Sequence, residues 1–129
     1  MGAWGATALQ SDAALDWIGN FVTDPLVEQI ERAITEYDKD GPDVRDGELR
    51  AAGFTLAAIS RWGAYNEKFA ALMPAVIDRL TALRDNEDWL NNWADPIEVR
   101  DAMQTEIDQL REQLASWTKP DPVEPEAKL

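Results

Sequence analysis

The chain has 129 residues, no cysteine and no histidine, and its 25 acidic against 12 basic residues leave a formal net charge of −13. That length is the size of one domain around a single core, and the two missing residue types exclude disulfides, Cys/His zinc sites, thiolate-held iron–sulfur clusters and histidine-dependent nucleophiles. The acidic balance repels nucleic-acid backbones and anionic membranes; no stretch approaches the ~18 apolar residues of a membrane span, and no secretion signal is evident, so a cytoplasmic protein is expected.

The chain opens Met1-Gly2-Ala3-Trp4-Gly5, where glycines flanking an indole allow backbone turns that press the ring onto a surface. A helix then begins at Asp12-Ala13-Ala14-Leu15-Asp16-Trp17 and runs to Val22, capped by Ser11 or Asp12. Ala14, Leu15, Trp17, Ile18, Phe21 and Val22 share one side of its wheel, which predicts that Trp17 is core. Gly2, Trp4, Gly5, Asp12, Ala14 and Trp17 resemble the bacterial family called "domain of unknown function 4259", whose members open Gly-x-Trp-Gly and continue into an Asp-x-Ala-x-Asp-Trp-like helix start. Beyond about the first 22 residues the resemblance rests on the succession of an Ala-rich central helix, a Trp-containing acidic turn and a long C-terminal helix, and it implies no activity.

The second helix is predicted from an Asp24 cap with Pro25 first in the helix to about Asp38, with Leu26, Val27, Ile30, Ala33, Ile34 and Tyr37 facing inward. A third helix, Glu48 to about Trp62, carries apolar residues over more than half its wheel and is the expected centre of the bundle. Glu67 to Arg84 keeps helical phase across Pro74, where it either bends or restarts. An acidic turn with Trp89, Leu90 and Trp93 follows. Asp95-Pro96 then repeats the cap grammar, with Glu98 at the capping-box position, and opens a helix to about Trp117. Its narrow stripe of Val99, Met103, Ile107, Leu110, Leu114 and Trp117 suits a bundle groove or a partner helix, so a homodimer through residues 99–117 is one expectation. From Thr118 prolines alternate with charges, as expected of an extended tail.

Three features compete for function. Asp-Lys-Asp-Gly at 38–41 followed by Glu48 resembles a calcium loop, and Asp38, Asp40, Asp43 and Glu48 are its candidate ligands. With Gly41 as the turn glycine, however, the twelfth position falls on Gly47 and Glu48 comes one residue late, so a solvated loop with Asp46 capping the third helix is expected instead. Among six tryptophans, Trp17 and Trp117 have core phase, whereas Trp89 and Trp93 lie in a polar turn; with Asp85, Glu87 and Asp88 they form the candidate partner-binding set. Most other carboxylates lie on polar helix faces. Glu106, which adjoins the last stripe, is the exception and reads as a rim residue.

The acidic field either steers a basic partner into contact or keeps the chain soluble, including in a salty cytoplasm. The expected protein is all-α, a single compact bundle of five or six helices over residues 1–117, with a docked Gly-Trp-Gly arm and a flexible acidic, Pro-rich tail at 118–129. It is expected to be a non-catalytic interaction module of inhibitor or immunity type, with a basic protein as partner and no cofactor, nucleic acid or membrane. The alternative is a carboxylate-dependent metal-binding protein or hydrolase built on the 36–48 loop.

Overall fold

Pro25, Pro42 and Pro96 stand in the first turns of three helices, because the first turn of a helix has N–H groups without intrahelical acceptors and loses nothing to a residue that lacks one. A computed structural model describes Ala13, Asp16 and Trp17 together with residues 19–59 and 67–118. These residues form α1 (Asp24–Asp40), α2 (Pro42–Ala58), α3 (Glu67–Arg84), α4 (Glu87–Leu90) and α5 (Pro96–Thr118), with a π-helical turn, Gly19–Thr23, leading into α1. The fold is all-α, with no strand among the described residues. The expected Gly-Trp-Gly arm and residues 119–129 of the expected tail lie outside those residues. Thr118 itself is helical.

The joint between α1 and α2 departs most from expectation. The third helix was expected at Glu48 behind an Asp46 cap, but α2 begins six residues earlier, at Pro42, and one residue, Gly41, makes the whole connection. Gly41 has φ 88° and ψ 173°, a region that a β-carbon all but closes. Its N–H donates to the Tyr37 carbonyl at 2.8 Å, and its own carbonyl accepts from Arg45 N at 3.1 Å, so both helix ends meet on one residue. With direction reversed there and Pro42 preset for a first turn, Asp43 to Gly47 stay helical. At its other end α2 stops at Ala58, with Ile59 extended. The expected continuation to Trp62 lies outside the described residues.

Asp24 is not the N-cap of α1, because the chain is already helical at Thr23 (φ −69°, ψ −49°). Thr23 is buried, and its hydroxyl donates to the Gly19 carbonyl at 3.1 Å within the π turn. That wider turn shifts the helical phase away from a 3.6-residue repeat. Trp17 and Phe21, expected inside, are instead 58% and 65% exposed and lie against each other with centroids 5.3 Å apart and planes tilted at 43°.

α2 and α3 form the middle of the bundle; α1 lies against both on one flank and α5 against both on the other. Asp38 pairs with Arg79, Arg50 with Glu106, and Phe69 meets Trp117, so α1 and α3 run parallel to each other and antiparallel to α2 and α5. The most enclosed helix is α3, not the expected 48–62 helix. Phe69, Met73, Val76, Leu80 and Leu83 have 1% exposure or less, and α3 continues unbroken through the exposed Pro74. Each such side chain contributes on the order of 1.5–3 kcal/mol by leaving water.

From α2 only Leu49, Ala52, Gly53 and Leu56 are buried. A β-carbon on Gly53 would stand 2.9 Å from Leu80 Cδ1 and 3.4 Å from Val76 Cγ1, so the glycine sets how closely α2 and α3 approach. The α5 stripe behaves as expected: Met103, Ile107 and Leu110 are fully buried and Trp117 packs edge-on to Phe69 at 6.1 Å. That stripe is used within its own bundle, so a second copy meeting α5 would face its charged side.

Candidate functional site

The end of the bundle where α1 meets α2 and α3 leads through α4 to α5 collects the acids: residues 36–48 and 79–101 hold twelve Asp and Glu against five Lys and Arg. The two segments use them differently. In the first, three of the four proposed metal ligands are engaged by arginines. Arg79 forks onto Asp38, with Nε to Oδ1 at 2.7 Å and Nη2 to Oδ2 at 2.6 Å, and this hydrogen bonding holds the Asp38 carboxyl below its ordinary range. Arg45 donates to Asp40 through Nε and to Glu48 through Nη1, each at 2.8 Å, with Glu36 at 3.9 Å. Asp43 is exposed in the first turn of α2. Asp38 and Asp40 close α1 while Asp43 and Glu48 belong to α2, and among the described residues no group of three or more potential ligands could hold an ion. The loop on which that reading depended is helix.

The second segment is a short capped helix and a turn. Asn86 caps α4, its Oδ1 accepting from Trp89 N at 3.0 Å. Trp89, a member of the candidate partner-binding set, is not at the surface: it is 3% exposed, and its indole N–H donates to Asp46 Oδ2 across the bundle at 2.9 Å. A buried indole needs such a partner. Asp46 thus anchors the acidic turn instead of capping α2. Trp93 stacks edge-on against Trp89, with centroids 5.6 Å apart and planes at 70°, and remains 40% exposed. One tryptophan is the foundation and the other the contact surface.

Around Trp93, Glu87 and Asp88 are exposed and make no ion pair among the described residues. Asp85 is forked by Arg84, at 2.9 and 3.0 Å, and that bonding lowers its carboxyl below the usual range. Asp95 caps α5, its Oδ1 accepting from Glu98 N at 3.0 Å, as the sequence predicted. Of the candidate set, then, Trp93, Glu87 and Asp88 lie open, Asp85 is partly neutralised and Trp89 is internal. Ile97, 70% exposed on the first turn of α5, adds an apolar neighbour four residues past Trp93 that sequence reasoning missed. Glu106, read as a rim residue, accepts a two-pronged Arg50 between α2 and α5.

Tyr37 is half-buried near this end. Burial first, then the Asp38 and Asp46 carboxylates, push its phenol above the ordinary value, so it stays neutral. No helix among the described residues is long and apolar enough to cross a membrane. Of the residues carrying the family resemblance, only Trp17 is described, and it is exposed. Comparison with known proteins finds no matching family model and no significant match among curated proteins or solved structures.

Proposed function

We propose that this protein is a non-catalytic interaction module, of inhibitor or immunity type, that presents its acidic end to a basic surface of a protein partner. The observation that carries the reading is Trp93, partly exposed on a buried Trp89 that Asp46 fixes from another helix, with Glu87 and Asp88 open beside it. A rigid indole offers contact area at little entropic cost, and aromatic anchors of this kind commonly dominate interface energies. The surrounding carboxylates raise the association rate of a cationic partner and are screened by salt.

The test is affinity capture from the native cell at low ionic strength, followed by titration of the captured partner with the wild-type chain and with Trp93→Ala. Affinity is expected to fall about tenfold or more on raising salt through the screening range, with the indole deletion costing ~2 kcal/mol. A complex indifferent to both changes removes the proposal.

A further inference from the structure

α2 carries two apolar faces. Leu49, Ala52, Gly53 and Leu56 enter the core, while Val44, Gly47, Ala51, Phe54 and Ala58 all lie exposed on the other side. Their spacing of three, four, three and four residues is that of a helix-packing seam, here running the length of α2 with no helix among the described residues upon it. Val44 and Phe54, 64% and 66% exposed, are its large members, about 15 Å apart along the axis. Between them the surface is cut back: nothing lies within 4 Å of a β-carbon built on Gly47. The seam is bracketed by two open grooves, one of about 390 Å³ toward α5 beside Phe54 and one of about 310 Å³ toward α1 beside Ala51.

We infer that this face of α2 is a docking seam for a cationic amphipathic helix of a partner protein, distinct from the Trp93 end. The apolar spacing sets the shape of the occupant: large side chains three and four apart would settle over Gly47 and Ala51 and in the two grooves, with Phe54 inserted between them. Charge sets its chemistry. Glu112 edges one groove; Glu36, Glu48 and Arg32 edge the other, where Arg45 already pairs with Glu48, and the flanking helices remain net acidic, with six acids against two bases in α1 and five against two in α5. A second copy would bring acidic flank against acidic flank. Lysines or arginines beside an apolar stripe meet opposite charge on both sides.

The probe is a synthetic peptide of leucine and lysine, about 18 residues long, with leucine at i, i+3, i+4 and i+7, compared with a shuffled peptide of identical composition. Binding to the full chain is followed by fluorescence anisotropy and by backbone amide shifts. The ordered peptide is expected to move the amides of Gly47, Ala51 and Ala58, and Phe54→Ala and Ala51→Arg each to weaken it about tenfold or more, while Trp93→Ala leaves it unchanged. Both seam positions are exposed, so neither variant disturbs the core. Equal binding of the shuffled peptide, shifts centred on residues 85–95, or wild-type affinity in Phe54→Ala would each overturn the seam. Sedimentation showing a dimer that Phe54→Ala dissolves would assign the seam to a second copy instead. Loss of the Trp93 reading would leave the peptide result standing.

Discussion

Residues 36–48 and 85–95 are the two acid-rich connections of the molecule, and both read as polar loops in the sequence. They differ in their cations. The first includes Arg45 and receives Arg79 from α3, so Asp38, Asp40 and Glu48 are bonded along continuous helix broken only at Gly41. The second contains no base, and among the described residues only Asp85 of its acids is ion-paired, by the preceding Arg84. Its shape comes from a buried indole instead. Acid density therefore does not identify a site; what matters is whether a guanidinium reaches the carboxylates and whether an apolar anchor keeps the remainder on display.

The sharpest way to break this contrast is Trp89→Ala, which removes the anchor of the second region. Truncating an aromatic so well buried is expected to cost about 3–5 kcal/mol in denaturant unfolding. Trp89→Phe, keeping most of the area but losing the bond to Asp46, is expected to cost about 1 kcal/mol. If both cost the same small amount, the turn is not held as described. In the first region Gly41→Ala places a β-carbon at φ 88° and is expected to cost about 1–3 kcal/mol, again read from denaturant midpoints; a neutral substitution would show that the joint is not so tight.

Arg79→Ala should be milder, at most ~1 kcal/mol, because its pair with Asp38 is largely in water. Its sign with pH is fixed. Asp38 in the folded chain titrates below its ordinary 3.8, so the stabilisation is complete above that value and is lost as pH falls through the lower folded value. Thermal melts of wild type and variant should keep their full separation above about pH 4 and converge only as the pH falls below it through the lowered folded value of Asp38. The smallest expected effect is that of calcium: millimolar ion should leave Tm unchanged, since arginines occupy Asp38, Asp40 and Glu48. A rise in Tm would mean that the arginines yield and that the metal reading has to be reinstated.

Much of the fold was legible where local chemistry was unambiguous. The bounds of α3, the Asp95 cap of α5 and the inward phase of Met103, Ile107, Leu110 and Trp117 were readable because caps and helical periodicity act within one or two turns. The early start of α2 was missed because Pro42 and Gly47 look like loop residues until Gly41 is seen to reverse the chain unaided. Trp17 was misread because its phase assumed an α-helix where a π turn follows. In the acidic turn, Glu87, Asp88 and Trp93 were found from composition, but the burial of Trp89 was not. Its partner Asp46 lies 43 residues away, and no local pattern marks that pair.

The sequence by itself determined an all-α chain with a strongly acidic surface, because helix periodicity, caps and charge are properties of neighbouring residues. Tertiary structure decided which apolar faces are covered. α2 has enough apolar residues for two faces, and the close approach at Gly53 turned one toward Leu80 and Val76 and left Phe54 outside. It also decided which carboxylates stay available, since that depends on where Arg45, Arg79 and Arg84 reach once the helices are packed.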